Sequence, residues 1–202
     1  MTATVDNFDL IAPMLKFENE FDFYFVQIIQ RKKEHKDSQH KLSVSNNNRC
    51  IKSYYIDSLD KLQRYELEMK ELAGLFVARV CINLNRRNAQ KLSFEMMKLL
   101  ATNISCNHFN QLGKLYDTVS GQHHHDKNKT WIIDIDDKEY DSAIMESYIN
   151  SCMPIGEDKI VAKVPTKSGY HIITRPFNLE HFNKEFPGVD IHKNNPTILY
   201  IP

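Results

Sequence analysis
Asp134 and Asp136 stand two apart in Trp131-Ile132-Ile133-Asp134-Ile135-Asp136-Asp137, an aromatic and β-branched run that ends in carboxylates. Side chains alternate across a strand, so the two acids leave one face while Ile133 and Ile135 leave the other. Three acids within four positions repel one another unless a cation or a basic partner offsets the charge, and a divalent metal is the economical answer. Asp190 lies between Val189 and Ile191. If both aliphatics point into a core, it is a third carboxylate on the open face. Hard cations take oxygen ligands, and a pair of them about 4 Å apart stabilises both the attacking and the leaving oxygen in phosphoryl transfer. A triphosphate would also need donors. Lys167, Ser168, the Gly169 backbone, His171, Arg175 and Lys193 lie close to the relevant strands, with His171 and Arg175 on one strand face.

Positioning these residues requires a particular run of elements. The periodicity from Trp131 predicts a strand over 131–136, a helix over 140–150, strands over 159–164 and 170–175, a short helix over 179–185, a strand over 189–191 and a last strand over 197–201. Through 191 this order is β-α-β-β-α-β, the split βαβ arrangement: an antiparallel sheet with helices on one face and the other face open for a ligand. Before it, strands are expected over 21–29, 51–56 and 76–84. Helices are expected from a cap at Asp57 or Ser58 to about Leu72 with Gly74 ending the run, over 89–102, and less clearly over 108–119. Arg86 and Arg87, leaving the 76–84 strand toward a helix start, suit phosphate contacts, with plain surface charge as the equal alternative. Arg31-Lys32-Lys33 opens a charged, Ser- and Asn-rich stretch to Asn48 that reads as a solvated loop or hairpin tip. His123-His124-His125 reads as an exposed polar loop, because three consecutive side chains cannot all face one metal from a regular strand.

Composition narrows the class. The chain has 202 residues, enough for a core without disulfides. Its 26 basic and 26 acidic residues cancel, so attraction to nucleic acid has to come from a local patch. Cys50, Cys81, Cys106 and Cys152 are far apart with no C-x-x-C pair, which speaks against a zinc knuckle and for reduced thiols in a cytoplasmic protein. Apolar runs fall well short of the ~20 residues of a membrane span.

Ile133-Asp134-Ile135-Asp136, Ser168-Gly169-Tyr170-His171 and Val189-Asp190-Ile191 together resemble the three signature motifs of the archaeo-eukaryotic primase superfamily, the primase-polymerases. The resemblance covers Trp131 to Pro202. It implies an α+β fold with an N-terminal α/β lobe (1–130) packed on an RRM-like catalytic palm (131–202). It also implies nucleotidyl transfer with Mg²⁺ or Mn²⁺: Asp134, Asp136 and Asp190 hold the metals, and Ser168 and His171 hold the phosphates of an incoming nucleoside triphosphate. The partners expected are a DNA or RNA template and a helicase or other replication protein, with no membrane. There is no zinc-binding cysteine set and no P-loop, and the chain ends directly after its last strand, which suits bare catalytic lobes that depend on a partner or have lost activity. Two rivals share parts of this pattern. A metal-dependent or rolling-circle-type endonuclease could use the acids, or His123 to His125 with Tyr140 or Tyr148. A non-catalytic nucleic-acid-binding replication factor could keep the fold, although a face presenting acids repels phosphate where an RNA-binding sheet would present aromatics.

Overall fold
The run expected as a strand over 21–29, dense in strand formers, forms Asp22–Gln30 of the larger of two antiparallel sheets in the computed structural model, which describes residues 4–31, 48–122, 129–136 and 140–202. That sheet takes β1 (Val5–Asp6), β2 (Asp22–Gln30), β3 (Arg49–Ile56), β4 (Arg79–Asn88) and β9 (Thr197–Ile201), in the order β1-β9-β4-β2-β3. The smaller sheet takes β5 (Trp131–Asp136), β6 (Ile160–Pro165), β7 (Gly169–Thr174) and β8 (Asp190–His192), in the order β6-β7-β5-β8. Here β7 separates β5 from β6 and runs antiparallel to both, with α5 (Ser142–Ser151) and α6 (Leu179–Glu185) in the connections. This is the split βαβ order expected from the sequence. The chain is therefore α+β. His123 to His125, Lys32, Lys33 and Asp137 lie outside the described residues.

The period-two pattern sorts the smaller sheet as expected. Ile133, Ile135, Ile172, Val189 and Ile191 pack with Met145 and Ile149 of α5 and Phe182 of α6. The opposite face is not open along its whole length. Ile132, Val164 and Ile173 are buried in a common core with Val26 and Ile28 of β2, Val80 and Ile82 of β4, and Leu199 of β9. The two sheets thus share one apolar seam, and only the ends of the smaller sheet's inner face can meet a ligand. The last strand, β9, lies in the larger sheet between β1 and β4 rather than beside β8.

Two boundaries move for physical reasons. The helix α2 (Leu59–Phe76) starts where its cap predicts, Ser58 accepting the Lys61 N–H at 3.2 Å, but runs past Gly74. The left-handed closing position falls instead on Val77, at φ 48°, whose N–H bonds back to the carbonyls of Ala73 and Gly74. In consequence β4 starts only at Arg79 and continues to Asn88, so Arg86 and Arg87 are strand residues rather than strand-end residues. The helix α3 (Ala89–Ser105) follows at once, capped by Asn88, whose side chain accepts the Lys91 N–H. After a 3-10 turn over Phe109–Lys114, α4 (Leu115–Gln122) supplies Val119 and Tyr116 to a separate aromatic cluster with Phe23, Phe25 and Leu92. All four cysteines are free, Cys50 and Cys106 exposed, Cys81 and Cys152 buried. No helix among the described residues is long and apolar enough to cross a membrane.

Candidate active site
One row of residues crosses three strands of the smaller sheet. Asp134 on β5 is paired directly with His171 on β7 on one side and with Asp190 on β8 on the other. Side chains directly opposite each other on one sheet face stand about 4.5–5.5 Å apart at Cβ, so the row His171, Asp134, Asp190 consists of direct cross-strand neighbours. One step along β5, Asp136 is paired with Gly169. It accepts a 3.2 Å hydrogen bond from the Ser168 hydroxyl. All four side chains project toward the seam side, because positions 134 and 136 share the face of Ile132, which is buried in the seam.

Sequence order alone does not bring this turn to the acids. The Thr166 N–H bonds to the Gly169 carbonyl at 3.0 Å, closing a two-residue hairpin whose tip is Lys167 and Ser168, both exposed. A Cβ on Gly169 would sit 1.9 Å from the Ile135 carbonyl oxygen. Only glycine lets β7 approach β5 this closely beside Asp136.

His171 is buried and held at both ring nitrogens: Nε2 lies 3.3 Å from the Asp134 carboxylate and Nδ1 2.8 Å from the Thr197 hydroxyl. Thr197 is fully buried and belongs to β9 of the other sheet, paired there with Ile82. Its hydroxyl fixes the imidazole from behind, as a second partner commonly fixes a functional histidine. The hydrogen bond from His171 holds the half-buried Asp134 carboxyl below the usual carboxylate range; burial opposes this, and the charges of His171, His192 and Arg31 add to it. Asp134 is thus kept as an anion, the form a metal ligand needs. Asp136 and Asp190 are exposed.

By type and register the donors fit a hard divalent cation: three carboxylates on one face, one of them held ionised and oriented by a buried histidine. Among the described residues no three His, Cys, Asp or Glu side chains already converge on a single point.

Four other residues expected to bind phosphate stand elsewhere. Arg175 lies beyond the far end of β7, four residues from His171 or roughly 13 Å at about 3.3 Å per residue. Lys193 lies with its Nζ 5.0 Å from the centre of the Trp131 ring, at the opposite end of β5 from Asp136. Arg86 is buried, 2.9 Å from Glu18 and 3.3 Å from Asp22. Arg87 is fully buried, its Nε donating to the Ser120 carbonyl at 2.8 Å and its other nitrogens to the Asn85 carbonyl and the Asn194 side chain. Burial lowers its pKa to about 10, and the side chain cannot reach a phosphate outside. Both the phosphate-binding and the surface-charge readings of Arg87 fail, because the strand carries on inward past Leu84.

Thr197 was not legible as a site residue, since it is separated from His171 by a helix and a strand and pairs in another sheet. His192, on the face of Asp190 and paired with Ile132, could have been found from the alternation in Asp190-Ile191-His192. Comparison with protein-family models, with curated proteins and with solved structures gives no match for this chain.

Proposed function
We propose that the chain is a nucleotidyltransferase of the primase-polymerase type, joining a nucleotide to a 3′-hydroxyl on a DNA or RNA template with Mg²⁺ or Mn²⁺. The observation that carries this reading is the row His171–Asp134–Asp190 across β7, β5 and β8, with Asp136 and the Ser168-Gly169 turn one step away. Those are the residues of the three motifs that resemble the superfamily, and they meet on one end of one sheet face. In this reading the smaller sheet is the catalytic palm, and the larger sheet with its helices is the N-terminal lobe. The four free cysteines suit a reducing cytoplasm.

Asp134, Asp136 and Asp190 would hold the cations. A bound pair would stabilise the charge on the attacking and leaving oxygens of an in-line displacement. The remaining work falls to the chain. Backbone N–H groups of the Lys167-Ser168-Gly169 turn would donate to the triphosphate, joined by the Ser168 hydroxyl once it turns from Asp136, and the exposed Lys167 ammonium adds a mobile charge. His171, fixed by Thr197, keeps Asp134 ionised and oriented through one carboxylate oxygen, leaving the other for a cation. The 3′-hydroxyl would then lose its proton to water, its oxygen bonding to the α-phosphorus as the bond to the departing pyrophosphate breaks.

Calorimetric titration of ATP and dATP in Mn²⁺, on the wild-type chain and on Asp134→Ala/Asp136→Ala, tests this. Metal-dependent binding should weaken by at least about tenfold in the double variant, equivalent to about 1.4 kcal/mol. Labelled nucleotide should enter a primer strand only with the wild-type chain. Cleavage of labelled DNA without nucleotide incorporation would assign the same carboxylates to a nuclease instead.

A further inference from the structure
At the end of the seam away from the carboxylates, the two sheets part to form a groove of about 790 Å³. Its walls include Lys16 and Arg86 from the larger-sheet side and Lys129 and Arg175 from the two strand ends of the smaller sheet. Arg86 is the fixed member, clamped by Glu18 and Asp22. The buried Asp22 is itself held by the N–H groups of Glu18 and Asn19 and the Asn88 amide. Lys16, Lys129 and Arg175 are exposed, and no carboxylate among the described residues pairs with them. The lining therefore carries four cations against the two carboxylates Glu18 and Glu157.

Cations do not line the groove alone. Met14, Pro176 and Val161 form apolar wall, and Val161, at an irregular step in the β6–β7 pairing, is 41 % exposed there. Small-molecule sites run to about 300–1,000 Å³, with apolar walls and a few convergent polar groups. A phosphate ion alone would leave the apolar wall unused. A continuous phosphate backbone would meet Glu18 and Glu157, whereas the same carboxylates can accept hydrogen bonds from sugar hydroxyls or a base amino group.

We propose that this groove is a nucleoside-phosphate site, distinct from the carboxylate row and independent of metal: Lys16, Lys129 and Arg175 take the phosphates, and Met14, Val161 and Pro176 face the base. The proposal does not rest on nucleotidyl transfer at the carboxylates, and the chemistry of the two ends of the seam can be separated.

The test is titration of ATP in EDTA. The wild-type chain should bind one equivalent, and Asp134→Ala/Asp136→Ala should bind it unchanged. Arg175→Glu and Lys16→Glu, both at exposed positions, should each weaken binding by at least about tenfold. Lys98→Glu, an equal charge change on the surface of α3, should leave it as it was. Absence of ATP binding in EDTA overturns the proposal, as does an equal loss in Lys98→Glu, which would mean only a general charge effect. Binding of a short oligothymidine through Arg175 without binding of ATP would overturn it in favour of a strand-binding groove.

Discussion

His171 shows how much of a candidate-site side chain's setting is decided by a partner outside its own motif. Its Nε2 faces Asp134, and the register of β5 and β7 alone would place it there. The Thr197 hydroxyl at Nδ1 holds the ring from its other side, and the Asp134 carboxylate, which can only accept, sets the proton on Nε2. Replacing Thr197 by valine keeps the shape and leaves a buried ring nitrogen without its partner. The expected cost is about 1–3 kcal/mol, read as a shift of the urea midpoint. Thr197→Ser should restore the hydrogen bond, and with it the Mn²⁺-dependent affinity for ATP that Thr197→Val loses. A loss of stability with unchanged metal-dependent affinity would assign Thr197 to packing alone. Arg87 makes the converse point at the same scale. Its charge suggested a surface or phosphate role, yet the guanidinium is spent on carbonyl oxygens inside the protein.

Among the elements, the β6–β7 hairpin carries the most demanding requirement. Gly169 lies against the Ile135 carbonyl, and any Cβ there collides with backbone rather than with a side chain that can turn away. Gly169→Ala should cost about 1–3 kcal/mol or more, the range for forcing extra volume into a packed site. The damage should be local to the β5–β7 edge, so amide hydrogen exchange should quicken at Gly169 to His171 before it does in β2 or β4. Unchanged protection in β7 would show that the hairpin accommodates the methyl by shifting as a unit. In β4, Asn83, Asn85 and Arg87 alternate along one strand face. They bond to Asn194, to Thr130 and Lys193, and to Ser120 respectively, stitching the larger sheet to the segments on either side of the smaller one. The pattern Asn-x-Asn-x-Arg was visible in the sequence. Its polar character read as a strand ending, because nothing local showed which backbone groups would meet it.

For the whole molecule, β9 is the crossing point. It leaves the smaller sheet's neighbourhood, enters the larger sheet between β1 and β4, and carries Thr197 to the back of His171. Asn7 reinforces the same joint, its amide donating to the carbonyls of Pro165 and Ile198 at 2.9 and 3.0 Å. Removing residues 197–202 would expose the sites of Ile198, Leu199 and Ile201, all buried. At about 1.5–3 kcal/mol per aliphatic side chain, the loss is comparable with the ~5–15 kcal/mol by which a domain is held folded. A chain cut after Pro196 should therefore lack a cooperative thermal transition, followed by near-ultraviolet circular dichroism. Retention of a sharp transition would show that the two sheets fold without the strand that joins them.

The sequence by itself determined what depends on near neighbours: the split βαβ run from Trp131 to His192, the common face of Asp134 and Asp136, the turn at Ser168-Gly169, and the outward turn of Asp190 from between two core aliphatics. Each follows from a period of two, a cap or a turn residue acting over a few positions. Tertiary structure decided everything that needed two distant segments to meet. It placed β9 in the other sheet, covered the middle of the face that alternation alone leaves open, and drew Arg87 into the interior. It also sent Arg175 to a groove instead of to the carboxylates. Long-range pairing and burial are fixed by which surfaces exclude water together, and alternation along one strand shows only that a surface exists.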